Sequence, residues 1–319
     1  MNKKLSKILG ITLPLLLGVF LVIYVYRQYT PAQIASLEKS FRNADYLYVW
    51  LSLAVGLTGF WARAYRWKYT LSHIGYTAPF SVKFSAVCIT YVMNMLIPRS
   101  GEVSRATVIS KYAGVPFDKA LGTIISERII DLILLIVVVA ATAVLQYDVV
   151  KEYLAAIPFM KLLFLGTIAI IVFTGSVLFF IYSKITWVQK LRLKISGLAE
   201  GAISVFTMPN KWPFLLLSVY IWFSYVLMFY ITIYALPETA GLGFGSVVTA
   251  FVVGSIVITF TNGGTGFFPV ALSNILVLYQ VPKEAGFAFG SIVWASQTAQ
   301  ILILGGLSFL ILPLLHKTK

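Results

Sequence analysis

The stretch Met93-Asn94-Met95-Leu96-Ile97-Pro98-Arg99-Ser100-Gly101-Glu102-Val103-Ser104-Arg105 begins as a lipid-compatible helix, then sets a proline and three charges where a membrane span would be finishing. Its surroundings are far more apolar than a soluble domain. Of 319 residues, 59% are hydrophobic and 11% charged, against roughly 45–50% and ~25% in soluble proteins. The chain therefore reads as an all-α integral membrane protein. Apolar runs of about 20 residues span a bilayer, and full candidates lie at 8–26, 45–62, 120–145, 159–183, 212–236 and 287–312, with shorter runs at 81–97 and 246–260. The first run follows a basic N-terminus as a secretory signal would. It ends in Tyr24-Val25-Tyr26-Arg27 without a small-residue cleavage site, so it reads as a retained anchor. The single Cys88 lies inside an apolar run, which leaves no intrachain disulfide and no cysteine-based metal site. No metal and no other cofactor is expected.

The net charge of +14 is distributed as a topology signal. Lys and Arg number three in 1–7, four in 63–83, four in 99–119, five in 184–211 and two in 317–319. The connections 27–45, 146–161, 237–246 and 282–286 hold six, with as many acids. Basic connections mark the cytoplasmic side, so both termini, 63–83, 99–119 and 184–211 should lie inside. Nucleic acid is not an expected partner. Arg63, Arg66 and Lys68 with Trp61 and Trp67 read as an inner-interface anchor. Segment 184–211 reads as an amphipathic cytoplasmic connector suited to anionic lipids. His73 and His316 sit in basic connections and read as solvated.

This side assignment constrains the opening stretch, because the chain enters near residue 83 from inside and must be inside again before the span at 120. Residues 98–113 cannot readily cross: Arg99, Glu102, Arg105 and Lys111 would each cost about 2.5–3.5 kcal/mol at a lipid-exposed midplane. A re-entrant hairpin fits. Run 81–97 descends, Pro98 breaks it, and a polar arm returns where protein or a water-filled cavity surrounds it.

A second copy follows about 165 residues later. "PRSGEVSRATVISKYAGVPFDKA" (98–120) aligns with "GGTGFFPVALSNILVLYQVPKEA" (263–285), Gly101 falling on Gly266 and Ala120 on Ala285, with Val115-Pro116 and Val281-Pro282 one residue out of step. Each copy then holds two spans, one broken hairpin and one more span. Three crossings is an odd number, so the second copy runs upside down and its hairpin, about 246–281, enters from outside. The expected architecture is a single polytopic domain over 1–319, with repeat 1 at about 1–145 and repeat 2 at about 159–312. It has about six full spans and two re-entrant helical hairpins. Inverted repeats with broken helices near the midplane are a transporter design.

The hairpin tips point to an anion. A half-helix starting inside the membrane presents unpaired N–H groups and roughly +0.5 charge at its N-terminus. Pro98 and Pro269 suit first turns, Gly101 marks the first break, and Asn262, Gly263, Gly264, Thr265 and Gly266 allow close backbone approach at the second. A phosphate is the natural ligand, with Arg99 and Arg105 as bidentate donors and Glu102 three residues from each, on one shared helical face. A further cluster, Glu127, Arg128 and Asp131, interrupts the span at 120–145. Such residues face the protein interior and could neutralise the arginines, carry a proton or contact a cationic headgroup. The bland alternative is that these charges only pair with one another and hold the hairpin. The aligned part of the second copy, Trp294 to Gln300, is polar but uncharged.

The set Pro98-x-x-Gly101-Glu102-x-x-Arg105, then Glu127-Arg128-x-x-Asp131, then Gly263-Gly264-x-Gly266-x-x-Pro269 resembles the flippase-like membrane domain of the lysylphosphatidylglycerol synthase family, including its short stand-alone bacterial members. The resemblance covers nearly the whole chain. It implies a multi-pass protein of the bacterial cytoplasmic membrane that moves lipids between leaflets, with membrane lipids as partners and roles for the matching charged residues. A homo-oligomer is compatible with it. After residue 312 only a short tail remains, so the lipid-lysylating soluble domain is not expected and synthase activity is not carried over. Two alternatives stay open: a membrane-embedded transferase acting on lipid-linked sugars or phosphates, and an ion-coupled small-solute transporter. Against the transferase, the sequence has no Asp-x-Asp and no Cys/His metal cluster.

Overall fold

A computed structural model describes residues 27, 30–97, 99–147, 151, 167, 174–175, 178–179, 182–183, 185, 205, 208–261 and 263–316. The expected span at 8–26, Pro98, Asn262, residues 317–319, and nearly all of the span at 159–183 and of the connector at 184–211 lie outside the described residues. Among the described residues the helices of ten or more residues are, in chain order, α1 (Pro31–Asn43), α2 (Tyr46–His73), α3 (Phe80–Leu96), α4 (Gly101–Ala113), α5 (Phe117–Leu145), α6 (Lys211–Thr232), α7 (Phe244–Phe260), α8 (Phe267–Leu276) and α9 (Lys283–Leu315). Four helical stretches are long and apolar enough to cross a membrane: Tyr46–His73, Phe117–Leu145, Lys211–Ala235 and Lys283–Leu315. The chain is a multi-pass, all-α membrane protein.

Local chemistry sets the helix starts. Thr30 caps α1 through a reciprocal box with Gln33, and Pro31 occupies the first turn. Asp45 caps α2 by accepting from the Leu47 amide at 3.0 Å. The sequence reading ends the second span at 62, yet α2 runs on to His73. Its last turns carry Arg63 and Arg66, whose polarity depresses hydropathy although both are buried.

The chain divides into two compact units, residues 1–124 with 209–319, and residues 125–208. In the first, α2 packs along α6, α4 lies against α3, α8 against α9, and α9 against α3. One apolar core joins Trp67 and Leu71 of α2, Ala86 and Ile89 of α3, and Ala106 and Ile109 of α4, so α4 folds back along α3. Small residues let backbones approach. A Cβ on Gly290 would stand 2.7 Å from Pro269 Cα, and one on Gly305 would overlap Val92. The element order α2-α3-α4-α5 is matched by α6-α7-α8-α9. Each run has a long helix, a 17-residue helix, a break, a shorter helix, a Val-Pro step and another long helix.

In the second unit the described residues are chiefly the rest of α5. Leu132, Ile133, Ile136 and Val137 are exposed, as a lipid-facing stripe would be, while Ser126, Glu127 and Asp131 are buried.

Candidate functional site

The first break runs from Ile97 to Ser100. Arg99 adopts φ +62°, a left-handed conformation unusual for a residue with a side chain. The turn is held by side chains. The Ser100 hydroxyl donates toward the carbonyls of Met93 and Ile97, each at 2.8 Å, and the Gly101 amide donates to Asn94 Oδ1 at 2.7 Å. Asn94 thus satisfies one of the N–H groups that a helix start leaves open. Gly101 sits against Thr90, and a Cβ there would strike the Thr90 carbonyl oxygen.

The second break, Thr261 to Gly266, is made by backbone freedom. Gly263, Gly264 and Gly266 have φ of +65°, +75° and +74°, accessible to glycine without penalty. Thr261 Oγ1 accepts from the Gly264 amide at 3.0 Å. From α9, Trp294 Nε1 donates to the Gly263 carbonyl at 2.8 Å. Pro269 is the third residue of α8, where its missing N–H costs nothing. The second break lies against the end of α3: the nearest atom to a Cβ built on Gly263 is Met95 Cγ at 3.8 Å, in the last turn before the first break.

The first unit also holds buried arginines. Arg105, 1% exposed, lies with its guanidinium carbon 3.8 Å from the centroid of the Trp67 ring. A desolvated cation–π contact contributes about 2 kcal/mol or more. Trp67 is itself fixed, its indole N–H donating to Thr123 Oγ1 at 2.9 Å. On α2, Arg66 donates to Ser218 Oγ at 2.9 Å and lies over Phe214, and Arg63 donates to the Tyr225 hydroxyl at 3.1 Å. The Tyr225 hydroxyl in turn meets that of Tyr91 at 2.9 Å. This polar line ties α2, α3 and α6 together.

Several expectations change. Arg63, Arg66 and Trp67 do not form an exposed anchor, because all three are buried against α6 or the core, whereas Trp61 is 48% exposed and Lys68 half-buried. Nor do Arg99, Glu102 and Arg105 share one helical face. Arg99 precedes α4 in the left-handed turn and is exposed, Glu102 is half-buried in the first turn, and Arg105 is buried. His316 is not simply solvated, since its Nε2 lies 2.8 Å from Ser81 Oγ. The sequence reading gave Asn94 and Trp294 no role of their own and took Trp67 for an interface residue. Each acts across a helix pairing, and the one available signal was a polar or indole side chain inside an apolar run.

In the second unit, Glu127 is 0% and Asp131 7% exposed, and Arg128 lies 3.6 Å from Asp131 one turn on. This pair is the i,i+3 match expected from the sequence. Among the described residues no group of three or more His, Cys, Asp or Glu side chains could hold a metal.

An apolar groove of about 770 Å³ lies between α2 and α9, lined by Trp50, Leu53, Leu57, Ala295, Ala299 and Ile303. Its lining also includes Ser291, Ser296 and Gln300, whose amide donates to the Leu53 carbonyl at 2.6 Å. Such a wall accepts hydrocarbon, not a solvated headgroup.

Comparison with known proteins fits this architecture. The family model described as the lysylphosphatidylglycerol synthase TM region matches residues 11–305, and the chain belongs to that family. No match was found among curated proteins or solved structures.

Proposed function

We propose, with membership of that family as the premise, that this protein moves a phosphate-bearing polar lipid between the leaflets of the bacterial cytoplasmic membrane. The family points to a lipid-related membrane function. The observation that carries the rest is the contact of the second break, at Gly263, with Met95 in the last turn before the first break, in a unit that also buries Arg105 on the Trp67 ring. In this reading the breaks belong to re-entrant hairpins of an inverted repeat, entering from opposite leaflets, with both termini in the cytoplasm. A polar junction inside the bilayer is what a headgroup needs in order to cross. The headgroup phosphate approaches the start of α4 and Arg105, where backbone amides and a guanidinium favour an anion. The acyl or prenyl tails remain in hydrocarbon, for which the α2–α9 groove offers a wall.

Glu127, Arg128 and Asp131 supply ionisable groups on α5 that support proton coupling or contact with a cationic headgroup part. Arg99, exposed at the turn, meets the headgroup first, and Glu102 balances its charge. No enzymatic step is assigned.

The test is translocation in proteoliposomes containing fluorescent phosphatidylglycerol, read as loss of protection from a membrane-impermeant quencher. Wild-type protein should expose inner-leaflet lipid, and Arg105→Gln should slow exposure by about tenfold or more, as removal of a charge-assisted contact does. Size-exclusion behaviour and unfolding temperature verify folding. Translocation by folded Arg105→Gln at the wild-type rate would overturn Arg105's role. Uptake of a soluble solute without lipid movement would replace the lipid reading with the solute transporter.

A further inference from the structure

The start of α3 holds a second cationic site, remote in sequence from the breaks. Its N-cap is Pro79, which offers no side-chain acceptor, so the amides of the first turn face outward uncapped. Lys83, in the second turn, is 6% exposed; its backbone N–H donates to the Pro79 carbonyl at 3.2 Å, and its side chain makes no ion pair among the described residues. Helical side chains lean toward the N-terminus, which sends Lys83 toward those amides. The charge that acts on it is another cation, Lys68 of α2. Lys68 is held by aromatics, its Nζ lying 2.5 Å from the Tyr65 hydroxyl and 4.8 Å from the Tyr69 ring centroid. No Asp or Glu occurs between residues 63 and 83.

Two cations and a helix N-terminus without an acid are an incomplete electrostatic arrangement. Neither lysine has an acidic partner among the described residues, and an anion between them would be attracted by both. We infer that Lys83, Lys68 and the N-terminal turn of α3 form a binding site for the phosphate of an anionic phospholipid headgroup. Aromatic side chains frame the site: Trp61 stacks on Tyr65 at 5.0 Å, and Phe80 lies 5.9 Å from Trp61 and 6.0 Å from Phe84. Such rings sit at the depth of lipid headgroups, which favours a lipid phosphate over a free anion. In the same turn, Ser81 Oγ lies 2.8 Å from His316 Nε2. The inference goes beyond the proposed function, because the site retains lipid whether or not the protein translocates it.

The experiment is native mass spectrometry of the detergent-solubilised protein titrated with phosphatidylglycerol, with phosphatidylcholine and inorganic phosphate as separate arms. Wild type should retain phosphatidylglycerol in preference to both. Lys83→Met should weaken that binding by at least about fivefold, near what one lysine contributes with anionic lipid, while Lys83→Arg keeps it. Should Lys83→Met fail to fold, the half-buried Lys68→Gln carries the same test with a several-fold loss expected. Wild-type affinity in a folded Lys83→Met or Lys68→Gln variant overturns the site. Equal retention of phosphatidylcholine, or displacement of phosphatidylglycerol by inorganic phosphate at similar concentrations, overturns its assignment to an anionic lipid.

Discussion

The two breaks interrupt their helices by different chemistry. Between α3 and α4 the turn is built from side chains: Asn94 and Ser100 bond the backbone, and Arg99 accepts a left-handed φ. Between α7 and α8 the turn is built from glycines, and one distant indole, Trp294, pins it. The first break is followed by charge, Glu102 and Arg105, whereas the second is followed by Phe267, Phe268 and Pro269. A charged turn is here specified by bonds, because a polar group taken out of water needs a partner. An uncharged turn can rely on backbone freedom. If the breaks serve lipid movement, ligand chemistry belongs to the first and accommodation to the second.

The comparison breaks most sharply at Gly101. Its constraint is contact, not dihedral, since an added Cβ would strike the Thr90 carbonyl and stand 2.6 Å from Asn94 Nδ2. Backbone cannot yield as a flexible side chain can. Gly101→Ala should therefore destabilise by about 3 kcal/mol or more, at the upper end of overpacking costs. The measurement is the unfolding temperature in detergent, and an unchanged value would mean that α4 does not seat against α3 as described.

Gly263 sharpens the comparison from the other side. An added Cβ there has 3.8 Å of clearance to its nearest neighbour, so the cost is the dihedral alone. A non-glycine residue in the left-handed region costs roughly 1–2 kcal/mol, and asparagine pays less than alanine. Gly263→Ala should thus lower stability by about that amount, with Gly263→Asn milder. Equal losses for both variants would show that space, not φ, governs the second break.

These differences also mark what the sequence could reveal. Pro98 and the run Gly263-Gly264 announced two interruptions, because breakers act locally. The matching order of elements around them was legible for the same reason. The extent of α2 was not. Hydropathy scores Arg63 and Arg66 as ends of a span, whereas Ser218 and Tyr225, more than 150 residues away in sequence, make them interior. The site was partly legible: Arg105 was singled out, but its seat on Trp67 depends on α2 meeting α4, which no local pattern encodes. The face shared by Arg99, Glu102 and Arg105 failed because the helix begins at Gly101, two residues after the arginine.

Trp294 gives the smallest and most discriminating effect. Its indole donates to the Gly263 carbonyl, and its Cδ1 lies 3.5 Å from the Cβ position of Gly264. Trp294→Phe keeps an aromatic ring in place and removes the donor, so a loss of about 1 kcal/mol is expected, the net value of one hydrogen bond. If the glycine turn is defined by its own backbone, the variant should still fold and its unfolding temperature should fall slightly. A loss as large as that of Gly101→Ala would mean that the indole builds the second break, as Asn94 and Ser100 build the first. The contrast between a bonded turn and a free one would then disappear.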